Sequence, residues 1–436
     1  MKITRTGEYD RLLARHHAMR LRRQILSPTG PSPERPALGA GTGPYDGHDG
    51  YADQQLIRAQ LDLVTPFDGL IEHLYAVMFQ RRPYLRTLFP ESMEFQQDHL
   101  ARMFRYLIDN LHRPDHVLAV LRQLGGDHRK LGVWPAHYHA FEEALGVALR
   151  GRAGAAWTAE LEQAWLRMLR FAVGAMVDGA ESAITEPPYW RGQVVRHERR
   201  GPDVAVLGVR TGEPYRYRAG QYATIESPLL PHTWRQYSMA CAPRPDGVLE
   251  FHVRRTAAGG VSEALVERTR VGDAVRLGPP RGTMTAADSA RDVLLVAGGT
   301  GLAPLKAILG ELADRGVPGR RVHLFVGARS RGDLYDWEAL ERLCGRHPWL
   351  EAVPVLGGGS RGPRPEATSA PLPGPLSDPL ADPLAEAVGR GGDWSERIAY
   401  VSGPPGMVGS VRARLLTSGM PADRIRHDPL GSAARG

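Results

Sequence analysis

The sequence contains very little cysteine: Cys241 and Cys344 are the only two among its 436 residues. Two thiols cannot build a disulfide framework, and they exclude any zinc or iron–sulfur site that takes all four thiolates from one chain. Disulfides persist in oxidising compartments, so this composition favours a reducing one. We therefore expect a cytoplasmic protein.

Long hydrophobic runs are also missing. The run VLLVAGGTGLAPL at 293–305 is uncharged, but glycines interrupt it and it has 13 residues, whereas a membrane-spanning helix needs roughly 18. The segment MKITRTGEYDRLLARHH at 1–17 lacks the apolar core of a secretion signal. These features predict a chain without a membrane span.

Neither sign of charge dominates. Lys and Arg total 55 against 48 Asp and Glu, which gives a net charge of +7, spread over segments such as RLLARHHAMRLRRQ and RHERR. A nucleic-acid-binding surface needs a clustered basic patch, so we expect no nucleic-acid partner. Mild basicity suits a small anionic cofactor instead, and the oligomeric state stays open.

The composition changes several times along the chain, whose length permits about two to three domains. Residues 1–50 are basic and then rich in Pro, Gly and Ser, which predicts a mobile arm. Residues 52–187 repeat apolar side chains at helical spacing. Residues 188–288 hold short β-rich runs typical of an antiparallel barrel, and residues 289–436 alternate strands and helices as a parallel βαβ domain does. A Pro/Gly-rich insert near 357–394 predicts a disordered loop.

The β-rich part carries residues suited to a flavin. RQYS at 235–238 follows GQY at 220–222, and GGVS stands at 259–262. An arginine pairs with a pyrophosphate, a tyrosine lies against an isoalloxazine ring and a serine bonds its edge, although GGVS alone is equally typical of a turn. The candidate flavin-binding residues are Tyr222, Arg235, Gln236, Tyr237, Ser238, Gly259, Gly260, Val261 and Ser262.

Two glycine-rich turns in the third part are suited to a dinucleotide. VAGGTGLAP at 296–304 joins a strand to a helix, where glycines let a pyrophosphate reach the helix N-terminus, and SGPPGMV at 402–408 is a second such turn. Arg329 and Arg331 stand where a 2′-phosphate can bind, but such arginines are often only solvated, so NADH and NADPH both stay open. The candidate residues are Gly298, Gly299, Thr300, Gly301, Pro304, Gly403, Pro404 and Met407.

In this order the motifs resemble the ferredoxin–NADP reductase superfamily, in which a flavin barrel precedes a nicotinamide domain. The helical part adds a further pattern: in DHRKLGVWPAHYHAF, His128 precedes LGVWP and Tyr138 follows it by ten positions. This stretch is similar to the proximal segment of bacterial flavohemoglobins. The resemblance covers roughly residues 52–436 and implies an all-α globin, an FAD barrel and an α/β NAD(P)-binding domain.

The resemblance implies a role for several residues of the globin part, which would hold heme b. His128 is the metal ligand, 32 residues after Gln96, and Tyr75 with Gln96 holds bound oxygen. Phe89, which follows Tyr75 by 14 residues, closes the heme edge, and Leu100 joins the heme contacts. Each has an alternative: a lone histidine is usually a core or surface residue, Tyr75 continues an apolar stripe, and Gln96 suits a solvated position.

Three features depart from the family pattern. Tyr138 is implied to join a proximal network with His128 and a later glutamate, but the nearest one, Glu181, fits only with a shift of one residue after Trp165. Leu430 stands where flavohemoglobins carry an aromatic residue near the flavin, and Ser402 replaces a cysteine. Because leucine cannot stack on a flavin as a phenyl ring does, access of the nicotinamide can differ.

The function implied by the resemblance is a nitric oxide dioxygenase. Electrons pass from NAD(P)H through FAD to the heme iron, and nitric oxide and oxygen become nitrate. The partners are then the small molecules O2, NO and NAD(P)H. Two alternatives stay open: a heme-based oxygen or redox sensor, and a flavin-heme reductase acting on another acceptor such as peroxide.

If Leu430 faces the flavin as its aromatic counterpart does, Leu430→Phe changes the rate of hydride transfer from NAD(P)H, because a ring at this position competes with the nicotinamide for the flavin face. Stopped-flow reduction of the flavin measures this rate. The heme spectrum is the control and stays as in the parent. Identical flavin-reduction kinetics place Leu430 away from the flavin.

Overall fold

A computed structural model describes residues 50–256, 258–357 and 381–428. In chain order these residues form a helical part, an antiparallel sheet and a parallel sheet, which confirms the expected fold class. The arm at 1–49 and the position of Leu430 lie outside the described residues. None of the described helices has the length and apolar character needed to cross a membrane.

The helical part packs six helices around one core. Phe104 lies at its centre, with its ring 5.8 Å from the ring of Phe67 and 5.8 Å from that of Trp165. All three side chains are almost completely buried, as the helical spacing of apolar residues predicts. The helices are α1 (Gly50–Ala59), α2 (Phe67–Arg81), α3 (Glu94–Asn110), α4 (Pro114–His128), α5 (Pro135–Ala153) and α6 (Ala159–Ser182).

Helices α4 and α6 cross with their backbones in contact. A Cβ atom at Gly125 of α4 would lie 1.8 Å from the carbonyl oxygen of Met176, and one at Gly179 of α6 would lie 2.0 Å from that of Arg122. Only glycine permits this approach. The crossing lies one turn before the end of α4, so it fixes the position of His128 at that end.

The second part is a six-stranded antiparallel sheet in the order β4-β3-β6-β1-β2-β5. A bridge between Met239, just beyond β4, and Phe251 of β5 joins the two edges, so the sheet curls into a barrel around a core that includes Phe251. The strands are β1 (Trp190–Arg199), β2 (Val204–Thr211), β3 (Tyr222–Glu226), β4 (Trp234–Ser238), β5 (Val248–Arg254) and β6 (Ala274–Leu277), and α7 (Val261–Glu263) precedes β6.

The third part is a five-stranded parallel sheet in the order β11-β10-β7-β8-β9, with helices between its strands. Strands β7 and β10 are neighbours, so the turns that follow them meet at one edge of the sheet. The elements are β7 (Val293–Gly298), α8 (Leu302–Arg315), β8 (Val322–Ala328), α9 (Trp337–Arg346), β9 (Leu350–Leu356), α10 (Ala381–Arg390), β10 (Ile398–Ser402), α11 (Pro405–Thr417) and β11 (Ile425–Arg426).

The expected disordered insert at 357–394 needs a correction on its C-terminal side. Residues 381–390 form α10, and Leu384 and Val388 are completely buried beside Phe325. The two side chains are four residues apart and therefore share one helical face. Their burial favours a helix where composition alone favoured disorder. Residues 358–380 lie outside the described residues.

Gly125→Ala tests the helix crossing. The added methyl group meets the backbone of α6, which cannot yield as a side chain can, so the globin part loses on the order of 1–3 kcal/mol of unfolding free energy or more. Gly174→Ala is the matched control, because Gly174 lies on α6 with open space around its Cβ position. Thermal and denaturant unfolding followed by helix signal measure both. Equal stability of the two variants contradicts the close crossing.

Candidate functional site

His128 is the last residue of α4, and a backbone contact orients its ring. Its Nδ1 lies 2.8 Å from the carbonyl oxygen of Leu124. A carbonyl only accepts, so Nδ1 carries the hydrogen and the lone pair of Nε2 is left to bind a metal. Burial lowers the pKa of His128, which keeps the imidazole neutral. These are the properties of a heme-iron ligand.

Two polar groups of the helical part have no bond to any described residue. The Oε1 atom of Gln96 on α3 is enclosed without a partner. The side chain of Tyr75 on α2 is 8% exposed, and its phenol makes no hydrogen bond to a described residue. Burial raises the pKa of Tyr75, so the phenol keeps its proton as a donor. Buried polar atoms without partners are rare in folded proteins and point to an absent ligand.

Aromatic rings surround Tyr75. The ring of Phe89 lies 5.5 Å from that of Tyr75 and 5.3 Å from that of Phe79, and Leu100 packs against the same core. The structure therefore places Tyr75 and Phe89 in contact. An apolar wall with a few polar atoms directed into it is the usual composition of a cofactor site.

The proximal network is incomplete. Tyr138 on α5 is half-buried, and burial raises its pKa to about 12. Glu181 is exposed on the last turn of α6, and no described contact joins it to Tyr138 or His128. On a continuous helix the 16 residues from the buried Trp165 to Glu181 turn the side chain by about 160°, away from the core. The structure thus brings Glu181 into no contact with Tyr138 or His128, and its place in the network stays a prediction.

The predicted flavin residues come together across one strand pair. Strands β3 and β4 pair antiparallel with Tyr222 opposite Ser238 and Ile225 opposite Arg235. Directly opposite residues share a face of the sheet and side chains alternate along a strand, so Tyr222, Ser238 and the exposed Gln236 lie on one face. Arg235 and Tyr237 lie on the other face. The two motifs, separated by a loop in the sequence, thus meet on one strand pair.

Arg235 is a desolvated cation without a carboxylate. Burial lowers its pKa, its guanidinium lies 4.7 Å from the ring centre of Phe95 on α3, and one Nη donates to the carbonyl oxygen of Trp234 at 3.0 Å. No described Asp or Glu pairs with it. Its charge suits an anionic ligand such as the pyrophosphate of FAD.

The GGVS segment forms a tight turn into α7. Gly259 has a φ of 74°, and Gly260 and Val261 lead into the helix. Ser262 is buried, and its Oγ accepts a hydrogen bond from the backbone of Thr256 at 3.2 Å. The side chain of Ser262 therefore stabilises the turn, and the backbone amides are the groups that suit a phosphate.

The two glycine turns of the third part pack against each other. A Cβ atom at Gly301 would lie 2.2 Å from the carbonyl oxygen of Ser402, and one at Gly403 would lie 3.0 Å from the amide of Gly298. Met407 is buried between them, as the Cβ positions of both Gly298 and Gly403 approach its methyl group. Gly299 and Thr300 are half-buried, Pro304 is buried in α8, and Pro404 is exposed.

Asp428 is a candidate that sequence reasoning missed. Its Oδ1 is buried without a partner and lies 3.5 Å from the Cβ position of Gly282, which also approaches the ring of Tyr222. Burial raises the pKa of Asp428, and burial with the charge of Asp428 raises that of Tyr222. The carboxyl group thus lies beside the predicted flavin surface. The sequence signal was its place two residues before Leu430.

Phe95 and His99 were also missed. Their rings stack 5.9 Å apart on α3, and burial lowers the pKa of His99. The guanidinium of Arg235 on β4 lies over the ring of Phe95, so Phe95 joins the helical part to the barrel. Helical spacing of four residues was the available signal.

Comparison with known proteins agrees with this geometry. A globin family profile matches residues 72–176, an oxidoreductase FAD-binding domain matches 191–285 and an oxidoreductase NAD-binding domain matches 295–413. A flavohemoglobin structure from Malassezia yamatoensis, with bound FAD and heme, has the same fold: it is 17% identical, with a TM-score of 0.65 over 87% of this chain and 98% of that one.

Curated relatives fall into two groups. The phenol 2-monooxygenase reductase component of a Pseudomonas strain is 36% identical over 38% of this chain, and the chain spans about half of that relative's length, 47%. The flavohemoprotein of Bordetella pertussis is 30% identical over 67% of this chain and 79% of its own length.

A globin joined to FAD-binding and NAD-binding domains is the plan of a heme-flavin oxidoreductase. The likeness to the Bordetella protein spans both the globin and the reductase parts, and the chain belongs to the flavohemoprotein family. Its cofactors are heme, FAD and NAD(P)H, and the donor sets at His128 and Arg235 fit the first two of these.

His128→Ala removes the side chain predicted to bind the heme iron, so we expect loss of most heme and of the axial-histidine spectrum. FAD stays bound, because the flavin surface lies on β3 and β4. Visible spectra of the purified protein report both cofactors. His139→Ala, at an exposed position of α5, is the control and keeps the parent spectrum. An unchanged heme spectrum in His128→Ala removes this residue as the ligand.

Proposed function

We propose that the chain is a nitric oxide dioxygenase, which converts nitric oxide and dioxygen to nitrate with electrons from NAD(P)H. The observation that carries this proposal is the presence of two polar groups in the helical part without a bond to any described residue: the phenol of Tyr75, which packs in the apolar core, and the enclosed Oε1 of the half-buried Gln96. A protein that only passed electrons through heme would need no polar groups there. A pocket that holds dioxygen needs such polar groups, because a hydrogen-bond donor among them holds the bound oxygen.

Heme, when bound, supplies reversible dioxygen binding and one-electron redox chemistry. The chain supplies the surroundings. His128 presents Nε2 to the iron with the other ring nitrogen fixed on Leu124. Tyr75 donates a hydrogen bond to dioxygen in the pocket, since burial keeps its phenol protonated. The rings of Phe79 and Phe89 exclude water from that hydrogen bond, which strengthens it.

The reductase parts supply electrons. Arg235 suits the FAD pyrophosphate, Tyr222 and Ser238 lie together on the flavin surface, and the packed turns at 298–301 and 402–404 suit the nicotinamide dinucleotide. These residues would hold FAD and NAD(P)H, and the bound flavin would supply the change from two-electron hydride chemistry to single-electron transfer. Reductase parts that supply electrons and a globin part that binds dioxygen together support a dioxygenase whose heme is reduced again after each turnover.

A second candidate is delivery of electrons to another acceptor. The observation that favours it is the 36% identity of the reductase parts to the phenol 2-monooxygenase reductase component, against 30% to a flavohemoprotein over a longer stretch. The two functions separate in one experiment: excess NAD(P)H and oxygen are supplied with nitric oxide, and nitrate is counted. Nitrate equal to the nitric oxide consumed supports the dioxygenase. No consumption by the protein with heme and FAD bound supports the other acceptor.

Tyr75→Phe tests the pocket itself. The variant keeps the ring and its packing and removes only the donor, a bond of about 1.5–3 kcal/mol, so oxygen dissociation accelerates on the order of 10- to 100-fold. Stopped-flow dissociation of oxygen measures this, and nitric oxide turnover at limiting oxygen falls with it.

Reduction of FAD by NAD(P)H is the internal control for Tyr75→Phe, because that step lies in the other domains and keeps its rate. Tyr84→Phe is the matched control for the loss of a phenol, since Tyr84 is 58% exposed. If oxygen leaves Tyr75→Phe and the parent at the same rate, Tyr75 is a core residue only.

A further inference from the structure

An ion pair joins the helical part to the barrel beside the heme ligand. Both Nε and one Nη of Arg281 contact the same oxygen of Asp127, at 3.2 and 3.0 Å. The side chains are 27% and 26% exposed, so water screens the pair only in part. Asp127 is the residue directly before His128, and Arg281 follows β6 of the barrel.

The other end of this contact lies at the flavin surface. The backbone amide of Tyr222 donates to the carbonyl oxygen of Arg281 at 2.9 Å, and the amide of Arg281 donates to the carbonyl oxygen of Tyr222 at 2.8 Å. Arg281 is therefore hydrogen-bonded to a predicted flavin-contacting residue through its backbone while its side chain holds the neighbour of His128. Three steps therefore connect His128 to the flavin surface. They are the peptide bond to Asp127, the ion pair to Arg281, and the backbone hydrogen bonds from Arg281 to Tyr222.

A second contact restrains the same end of α4. Lys130, two residues after His128, donates to Oγ1 of Thr224 at 2.9 Å, and its Nζ lies 5.2 Å from the ring centre of Trp234. Burial lowers the pKa of Lys130, as expected for a cation enclosed between two domains. The residues on both sides of His128 are thus attached to strands β3 and β4 or to the loop after β6.

We propose that the Asp127–Arg281 ion pair is a positioning device that holds the heme-ligand end of α4 against the flavin surface and so sets the rate of electron transfer from FAD to heme. Each transfer oxidises the reduced flavin by one electron and reduces ferric iron to ferrous, with NAD(P)H as the source. Electron transfer falls steeply with distance, so a loosened interface slows this step and leaves hydride transfer unchanged. The inference rests on the electron path of the proposed function and requires no nitric oxide chemistry.

The test uses the full chain with heme and FAD bound. Arg281→Gln is reduced anaerobically with NAD(P)H under carbon monoxide, and flavin and heme reduction are followed separately by stopped-flow absorbance. We expect heme reduction to slow by roughly 5- to 50-fold, below the roughly 100-fold that a misplacement of about 1 Å can cost. Flavin reduction keeps its rate. Arg244→Gln is the matched control, because its contacts to Asp246 and Val248 stay within the barrel.

Charge exchange separates positioning from a merely structural role. The single variants Asp127→Arg and Arg281→Asp place like charges together and slow heme reduction, and the double variant that combines them restores it toward the parent rate. High salt slows the parent and the double variant alike and leaves Arg281→Gln unchanged, since ions screen the pair. Amide hydrogen exchange at 125–132 rises in Arg281→Gln, although the substitution lies in the other domain.

Two results overturn the proposal. In the first, heme reduction is as fast in Arg281→Gln as in the control Arg244→Gln. In the second, the double variant that combines Asp127→Arg with Arg281→Asp reduces its heme no faster than the slower of the two single variants. If Asp127→Arg loses heme, the Arg281→Gln result and its hydrogen exchange decide the question alone. Because carbon monoxide reports heme reduction, a protein that forms no nitrate but shows these rates disproves the dioxygenase and supports the positioning device.

Discussion

The end of α4 is fixed from three sides, and both the heme site and the globin–barrel contact depend on where it lies. Gly125 brings its backbone against α6, the Leu124 carbonyl holds the imidazole of His128, and Asp127 attaches the last turn to Arg281 of the barrel. These contacts all involve residues 124–128, so the helix crossing, the orientation of the imidazole and the contact with the barrel depend on one short stretch of chain. The sequence GGDH therefore carries three structural requirements at once.

Unpartnered polar groups occur at the predicted cofactor sites. Gln96 Oε1 and Asp428 Oδ1 are buried without partners among the described residues, and Arg235 is desolvated without a carboxylate. Leaving such a group unsatisfied costs about 1–3 kcal/mol, more for a charge, so each calls for an explanation, and a ligand that restores the bond is one. The three groups lie in the globin core and along the flavin surface, where the family's cofactors bind. Chemistry and resemblance thus agree from independent observations.

The sequence predicts most of the fold, and it predicts those site residues whose role depends on local backbone. The turns at 298–301 and 402–404 follow from glycine patterns, since close approach requires glycine whatever lies beyond. The role of Glu181 could not be predicted from spacing alone, because a shift of one residue on a helix turns a side chain by about 100°, which is enough to move it from core to solvent. Arg281 and Phe95 escaped notice because their partners are distant in sequence, and no local pattern reports such contacts. Helix α10 was not predicted, because the Pro/Gly-rich composition of the insert indicated disorder more strongly than the apolar pair Leu384 and Val388 indicated a helix.

The two domain interfaces differ in kind, and this difference explains how the chain combines a globin with a reductase. Between the barrel and the parallel sheet, Lys306 of α8 contacts the buried carboxylates of Glu250 and Asp336 at 3.1 and 2.6 Å, and His252 bonds Glu250 at 3.1 Å. Burial alone raises the pKa of Glu250, but the hydrogen bond from His252 and the charge of Lys306 hold it below its ordinary value. Removing one member of such a buried network leaves a charge without a partner, which costs about 3–5 kcal/mol, so the reductase parts have one defined arrangement. The globin part meets the barrel through the partly exposed Asp127–Arg281 pair, the Lys130–Thr224 hydrogen bond and the Arg235–Phe95 contact. Water screens the charges of this ion pair in part, so its energy is smaller than that of the buried network. Within the reductase parts a buried charge network thus joins the barrel to the parallel sheet, whereas the contact between the globin part and the barrel includes a partly exposed ion pair that single substitutions can adjust.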